Sequence, residues 1–395
     1  MSEIDNNPAT TNELMRRHLH VVPSYRPTQD GVLKLAQLGV VTLEHGDTLE
    51  NVTIAWRSWG ELNAARDNAV IILHALTGDS LAAGDGGWWE PVIGPGKPID
   101  TRRHFVLCAN VLGGCQGSTG PASKDAFGGY YGLRFPLITI GDIVTTQRKL
   151  VDSLGITRVI AIGGSIGGFQ ALEWATRHAD IVAGTGCIAA AGNLNALGIA
   201  VHGEVGRRAI MSDPNWLNGD YLKYNVFPES GLAIARMAAM TTYHSRESLG
   251  NRFGRNPAVR ASLYPEFGPT FDVEGYLHYH GKALVRRFDA NSYLYLTRAM
   301  DMYDIGRDGG DAYWFDKINA PMLFVGITSD WLFPPDDIEL LAARLRDRGK
   351  DACYKLINSP NGHDAFLKDW DQLNPIMTDF MHHLAADTRR QEATS

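Results

Sequence analysis

Six short stretches rich in β-branched and apolar residues constrain this chain's fold more than any other feature. They are NVTIAW (51–56), AVIILH (69–74), HFVLCA (104–109), RVIAI (158–162), PMLFVGI (321–327) and ACYKLI (352–357). Several are apolar at nearly every position. A strand with one wet face alternates; one that is apolar throughout is covered on both faces, as in the middle of a parallel sheet. Between these stretches lie IVTTQRKLVDSL (143–154), residues 167–178 and DIELLAARLRDR (337–348), all with apolar residues at helical spacing. Strand, helix, strand, helix predicts an α/β fold with a mainly parallel central sheet.

The region 192–310 breaks this rhythm. It is rich in Ala, Met, Arg and Tyr, and GLAIARMAAMTTYHS (231–245) and NSYLYLTRAMDMYDI (291–305) read as helices rather than strands. A chain of 395 residues exceeds the usual single domain of ~100–200 residues. The expected organisation is therefore a core formed by 26–191 and 311–385, with 192–310 inserted as a helical lid. Residues 1–25 and 386–395 are polar and are expected to be loose tails.

Several function classes are disfavoured by composition. Net charge is −7, which suits neither nucleic acid nor an anionic membrane. No run of ~18 apolar residues is present to span a bilayer. The N-terminus lacks the apolar segment of a secretory signal. Cys108, Cys115, Cys187 and Cys353 form no CxxC pair, and read as reduced thiols of a cytoplasmic protein. No metal site and no bound cofactor are expected.

Chemistry concentrates at IGGSIGGFQ (162–170). Ser165 fits G-x-S-x-G, a weak motif alone but a stronger one between the strand RVIAI and the helix FQALEWATRH. A nucleophile on such a turn stands clear of the sheet at a helix N-terminus. Gly163 and Gly167 are expected to permit the turn, and Gly164 and Gly168 to allow close strand–helix approach. The bland alternatives are a packing turn or a phosphate loop, although no P-loop lysine follows. A serine needs a base, and the base an orienting acid, in the chain order Ser, Asp or Glu, His. PMLFVGITSD delivers Asp330 after one late strand, and ACYKLINSPNGHDAF delivers His363 after the next. Asp336 and Asp337 are alternative acids but suit a helix start better. The N–H groups of Ile166 and of Leu76, in the loop after AVIILH, are candidate oxyanion donors. His74 reads as a buried structural histidine.

These residues lie in stretches that resemble the homoserine O-acyltransferases of methionine biosynthesis, a family of the α/β-hydrolase fold. The resemblance covers HALTGDS, GWWEPVIGPGKPIDT, NVLGGCQGSTGPAS, FPLITIGD, GGSIGGFQALEWA, GLAIARM, TTYHS, RFDANSYL, SDWLFP and GHDAFL, nearly the whole chain. It implies a triad of Ser165, Asp330 and His363, with acetyl-CoA and L-homoserine as small-molecule substrates and a homodimer as the assembly. It also implies that Arg236 meets the amino acid's carboxylate and Asp364 its ammonium group. A guanidinium suits a carboxylate because its forked donors engage both oxygens. In the family, the residue two after the acid influences the choice of acyl group, and members using succinyl resemble a pattern with Arg there. Leu332 carries no charge, which favours acetyl. Succinyl transfer, serine as acceptor, and a serine esterase are the competing readings.

Overall fold

An eight-stranded sheet in the order β1-β2-β4-β3-β5-β6-β7-β8 organises the computed structural model of the chain, which describes residues 30–258, 270–307 and 309–394. The strands are β1 (Lys34–Thr42), β2 (Thr48–Trp59), β3 (Ala69–Leu73), β4 (Phe105–Ala109), β5 (Val159–Gly164), β6 (Val182–Ile188), β7 (Met322–Ile327) and β8 (Ala352–Ile357). The first two join antiparallel, β2 also meets β4 antiparallel, and from β4 onward every pairing is parallel. In β3, β4, β5 and β7 every residue is buried. That matches the expected two-faced covering and explains their unbroken apolar runs.

Helices cover both faces. The helix α1 (Ile140–Ser153) starts in a capping box in which Thr139 and Asp142 exchange side-chain-to-backbone bonds. Next, α2 (Ile166–Arg177) leaves β5 through Ser165 and is buried along nearly its whole length. Between β6 and β7 the chain turns helical: a π-helical turn (Ile199–Val205), α3 (Glu229–Tyr243), α4 (Asp272–Val285) and α5 (Ala290–Met302). One anchor to the core is α5, where the Tyr295 hydroxyl donates to the Phe135 carbonyl at 2.5 Å. Beyond β7 come α6 (Pro335–Asp347) and, after β8, α7 (Trp370–Thr394).

One expectation changes here. A loose tail was expected over 386–395, but α7 continues to Thr394, and neither Gly nor Pro interrupts DTRRQEAT. The expected loose segment 1–25 lies outside the described residues. The four cysteines are free thiols, three of them buried.

Candidate active site

Parallel strands deliver their following loops to one edge, and the candidate triad and the Leu76 donor sit on such loops. Ser165 follows β5, Leu76 follows β3, Asp330 follows β7 and His363 follows β8. Ser165 alone makes the turn from strand to helix, with φ 60° and ψ −130°. This is the sparsely populated left-handed side of backbone space, held here by surrounding bonds. Its N–H donates to the Ile188 carbonyl at 2.9 Å, tying the turn to β6.

The four glycines serve a purpose that differs in part from the expected one. None of them has positive φ, so the turn's strain sits in the serine itself. What they allow is contact. A Cβ on Gly167 would lie 2.1 Å from the Leu73 carbonyl oxygen, and one on Gly163 would lie 2.4 Å from the Gly167 oxygen. A Cβ on Gly168 would fall 2.4 Å from that of Ala190, and one on Gly164 would strike the Phe366 ring at 2.6 Å. The elbow is thus pressed against β3, against the loop after β6 and against the segment carrying His363.

His363 and Asp330 are paired. The imidazole Nδ1 lies 2.7 Å from Asp330 Oδ2, and both side chains are almost fully buried. Oδ1 of Asp330 accepts from the N–H groups of Leu332 and Phe333, each at 2.9 Å. These bonds fix the carboxylate so that its other oxygen faces the ring. Burial pushes the His363 imidazole down, but the charge and hydrogen bond of Asp330, with Asp364 adding its charge, leave it raised above the usual histidine value. Asp336 and Asp337 lie in the first turn of α6. Phe333 and Phe366 flank the His363 ring at centroid distances of 5.5 and 5.6 Å.

Ile166 opens α2, so its N–H has no intrahelical acceptor. Among the described residues, no hydrogen bond uses the N–H of either Ile166 or Leu76. His74 sits behind the Leu76 loop. Its Nδ1 is 2.8 Å from the Ala75 carbonyl, and its Nε2 accepts from the Val111 N–H at 3.2 Å. Burial first of all depresses its pKa, so it is a neutral structural group. A buried relay braces the same loop: Trp174 donates to Gln147, Gln147 to Gln170, and Gln170 to the His74 carbonyl.

The remaining candidates come from the lid and from the two late loops. Arg236, on α3, donates to the Thr77 hydroxyl at 3.4 Å, next to the Leu76 donor, and its guanidinium stands 5.2 Å over the Tyr243 ring. Arg287 also reaches Thr77, donating to its carbonyl at 2.6 Å. Asp364, beside His363, pairs with Lys368 at 3.2 Å and remains partly exposed. Leu332 is buried, and its carbonyl accepts from Asn195 at the start of the lid segment. The far end of α3 is knitted to both late loops: Trp331 donates to the His244 carbonyl, and Ser245 to that of Pro360. Tyr243, Thr77 and His202 are the residues that sequence reasoning missed. Tyr243 stands seven positions after Arg236, two turns along the same helical face, which is the one signal that pointed to it. No group of three or more His, Cys, Asp or Glu suited to a metal occurs among the described residues.

Residues 68–369 match the family model of the alpha/beta hydrolase fold. A homoserine O-acetyltransferase from Symbiobacterium thermophilum is 48% identical over 364 residues, covering 88% of this chain and 93% of the relative. The chain belongs to the homoserine O-acetyltransferase family of α/β-hydrolases. Among solved structures, homoserine O-acetyltransferase from Bacillus anthracis superposes with a TM-score of 0.83 at 26% identity, covering 89% of this chain and 98% of that one. Esterase E22 gives a TM-score of 0.81 at 29% identity, over 88% and 99%. The same family architecture therefore accommodates proteins named for acyl transfer and for ester cleavage.

Proposed function

We propose that this chain transfers the acetyl group of acetyl-CoA to the side-chain hydroxyl of L-homoserine, in methionine biosynthesis, through an acyl-serine intermediate. The observation that carries the reading is the setting of the buried Asp330–His363 pair and the Ser165 turn beneath a lid arginine, Arg236, that reaches Thr77. A plain ester hydrolase has no use for a carboxylate-binding cation at that point. The relatives named above support the same acceptor and acyl group.

The chemistry follows from the parts. His363 takes the proton of Ser165, whose oxygen attacks the thioester carbonyl. The oxyanion is met by the N–H groups of Ile166 and Leu76. As the tetrahedral intermediate collapses, the C–S bond breaks and His363 protonates the departing thiolate, giving CoA. The homoserine hydroxyl then gives its proton to His363 and attacks the acyl carbonyl. The Ser165–acyl bond breaks, and Ser165 recovers its proton from His363. Arg236 and Asp364 hold the acceptor's carboxylate and ammonium. Leu332 supplies an apolar wall near the acid, which suits acetyl and offers no partner to the carboxylate of a succinyl chain. The helical lid limits water, which would otherwise hydrolyse the acyl-enzyme.

The test is a mass spectrum after acetyl-CoA and, separately, succinyl-CoA, each followed by a chase with homoserine or serine. An acetyl adduct on Ser165 that homoserine discharges is expected; no adduct in wild type, or the same adduct in Ser165→Ala, overturns the mechanism. Transfer to water is the second reading, favoured by the likeness to esterase E22. It predicts that CoA release is as fast without an amino acid as with one. The same proposal places the protein in the cytoplasm, a reading supported by its free thiols, as a homodimer. Exposed apolar side chains on lid helices, such as Met211 and Ile234, support an assembly that sedimentation can count.

A further inference from the structure

One buried histidine beside the site takes no part in the chemistry above. His202 lies in the π-helical turn Ile199–Val205 and is 1% exposed. A π-turn inserts one residue beyond the α-helical repeat and re-aims the side chains around it, and such turns recur at functional sites. Here the ring enters the space behind Tyr243, with a centroid distance of 5.5 Å. Its Nε2 lies 2.7 Å from the Thr242 hydroxyl. That hydroxyl already donates its one proton to the Ala239 carbonyl at 2.8 Å. It can therefore only accept from His202, which fixes the imidazole as the Nε2–H tautomer. Nδ1 has no protein partner among the described residues. Burial, and then the charges of His363 and Arg236, push its pKa down to about 3, so the ring stays neutral.

Tyr243 is the hub of this arrangement. On one side it meets His202, and on another the His363 ring at 5.9 Å, while the Arg236 guanidinium rests over its face. His363 has independent supports in Asp330, Phe333 and Phe366. Among the described residues Arg236 has fewer: the Tyr243 face and a 3.4 Å bond to Thr77. A shift of Tyr243 is thus transmitted mainly to Arg236. We propose that His202 is a positioning residue for the acceptor amino acid, clamping the Thr242–Tyr243 end of α3 so that Arg236 is aimed at the acceptor's carboxylate. The idea rests on the transfer reading above, since it needs an acceptor with a carboxylate.

The role is specific to the second half-reaction. Loss of the clamp loosens Arg236 and weakens acceptor binding, while acylation of Ser165 needs only the elbow, the His363–Asp330 pair and the oxyanion donors. Three variants separate this from general packing. His202→Phe keeps the ring but loses the donor. His202→Gln returns an amide donor within reach of Thr242. Thr242→Val keeps the side-chain shape and removes the acceptor. The measurements are the CoA burst from acetyl-CoA alone and the KM for homoserine in steady state, with the melting temperature of each variant. His202→Phe and Thr242→Val should each raise KM about tenfold or more, the size of one lost hydrogen bond plus misaiming. Their CoA bursts should stay within about twofold of wild type, and His202→Gln should recover most of the KM. A parallel fall of both half-reactions, an unchanged KM in either variant that folds, or no recovery in His202→Gln would each overturn the assignment. Absence of a CoA burst in the wild-type protein would instead sink the acyl-serine reading, which keeps the two failures distinct.

Discussion

At the residue scale, the candidate site turns on one buried histidine–aspartate pair. In the proposed mechanism His363 must be neutral to take the Ser165 proton, and Asp330 holds its pKa above the usual value of ~6.5. Activity should therefore fall on the acid side, with an inflection in kcat/KM above pH 6.5. Asp330→Asn removes the charge that raises the imidazole and disturbs its tautomer. The rate of acylation should drop about ten-thousandfold, and the residual activity should titrate at lower pH. A stopped-flow pH profile of CoA release reads both effects; an unmoved inflection would remove Asp330 from its role. In the proposed mechanism Arg236 serves the other substrate. Arg236→Ala should raise the KM for homoserine about 10- to 100-fold, the worth of a charge-assisted bond, with acyl-enzyme formation near normal. Equal damage to both half-reactions would count against it. The placement of Ser165, Asp330 and His363 after β5, β7 and β8, and the pairing of the last two, could be read because chain order and strand ends narrow the choice. His202 could not be, because its proposed role comes from a π-turn and a ring contact that leave no pattern in the sequence.

At the scale of elements, contact rather than flexibility explains the glycines of the elbow. Gly167→Ala would set a methyl 2.1 Å from a backbone oxygen of β3, which cannot swing aside. It should cost about 3 kcal/mol and push α2 off the oxyanion loop, so that any soluble protein acylates poorly. Gly275→Ala is the matched control. That glycine lies on an exposed face of α4 with open space where the methyl would go, and the change should stabilise by about 0.5–1 kcal/mol. Urea titration of the pair checks both signs; similar effects would show that close approach is not the elbow's constraint. The same logic explains which strands could be read. β3, β4, β5 and β7 are buried on both faces, so they carry unbroken apolar runs. β6, VAGTGCI, escaped notice because its glycines yield space to neighbours: a Cβ on Gly184 would meet Leu384 at 2.5 Å, and one on Gly186 would meet Ile162 at 3.0 Å. β1 is an edge strand whose exposure breaks the apolar signal. The end of α7 is polar, yet nothing in it stops a helix.

At the scale of the whole molecule, several histidines are buried as neutral rings, and together they set how the fold responds to acid. His74 and His202 are almost fully covered, and His178 is packed on Trp174 beside Arg148. Burial comes first in lowering each of them, with Arg148 adding to the effect at His178, which falls to about 4, and His363 and Arg236 adding to it at His202, which falls to about 3. When the chain unfolds, each ring regains its ordinary value of ~6.5. Between the folded and unfolded values the unfolded chain holds more protons, so stability rises with pH there and is lost as pH falls. His363 has the opposite sign. Its folded value is raised, so its contribution is complete below ~6.5 and is lost only as pH rises through that folded value. Below pH 6.5 the slope is therefore set by the depressed histidines. Each fully buried one removes at most about 1.4 kcal/mol per pH unit, and the partly exposed His178 at most about 1. The urea midpoint should fall steadily from pH 6.5 to pH 4.5. His178→Asn should flatten that slope by up to one proton's worth without moving the acid inflection of catalysis, which belongs to His363. A flat stability profile over this range, or a shifted catalytic inflection in His178→Asn, would show that these rings are not held neutral by burial.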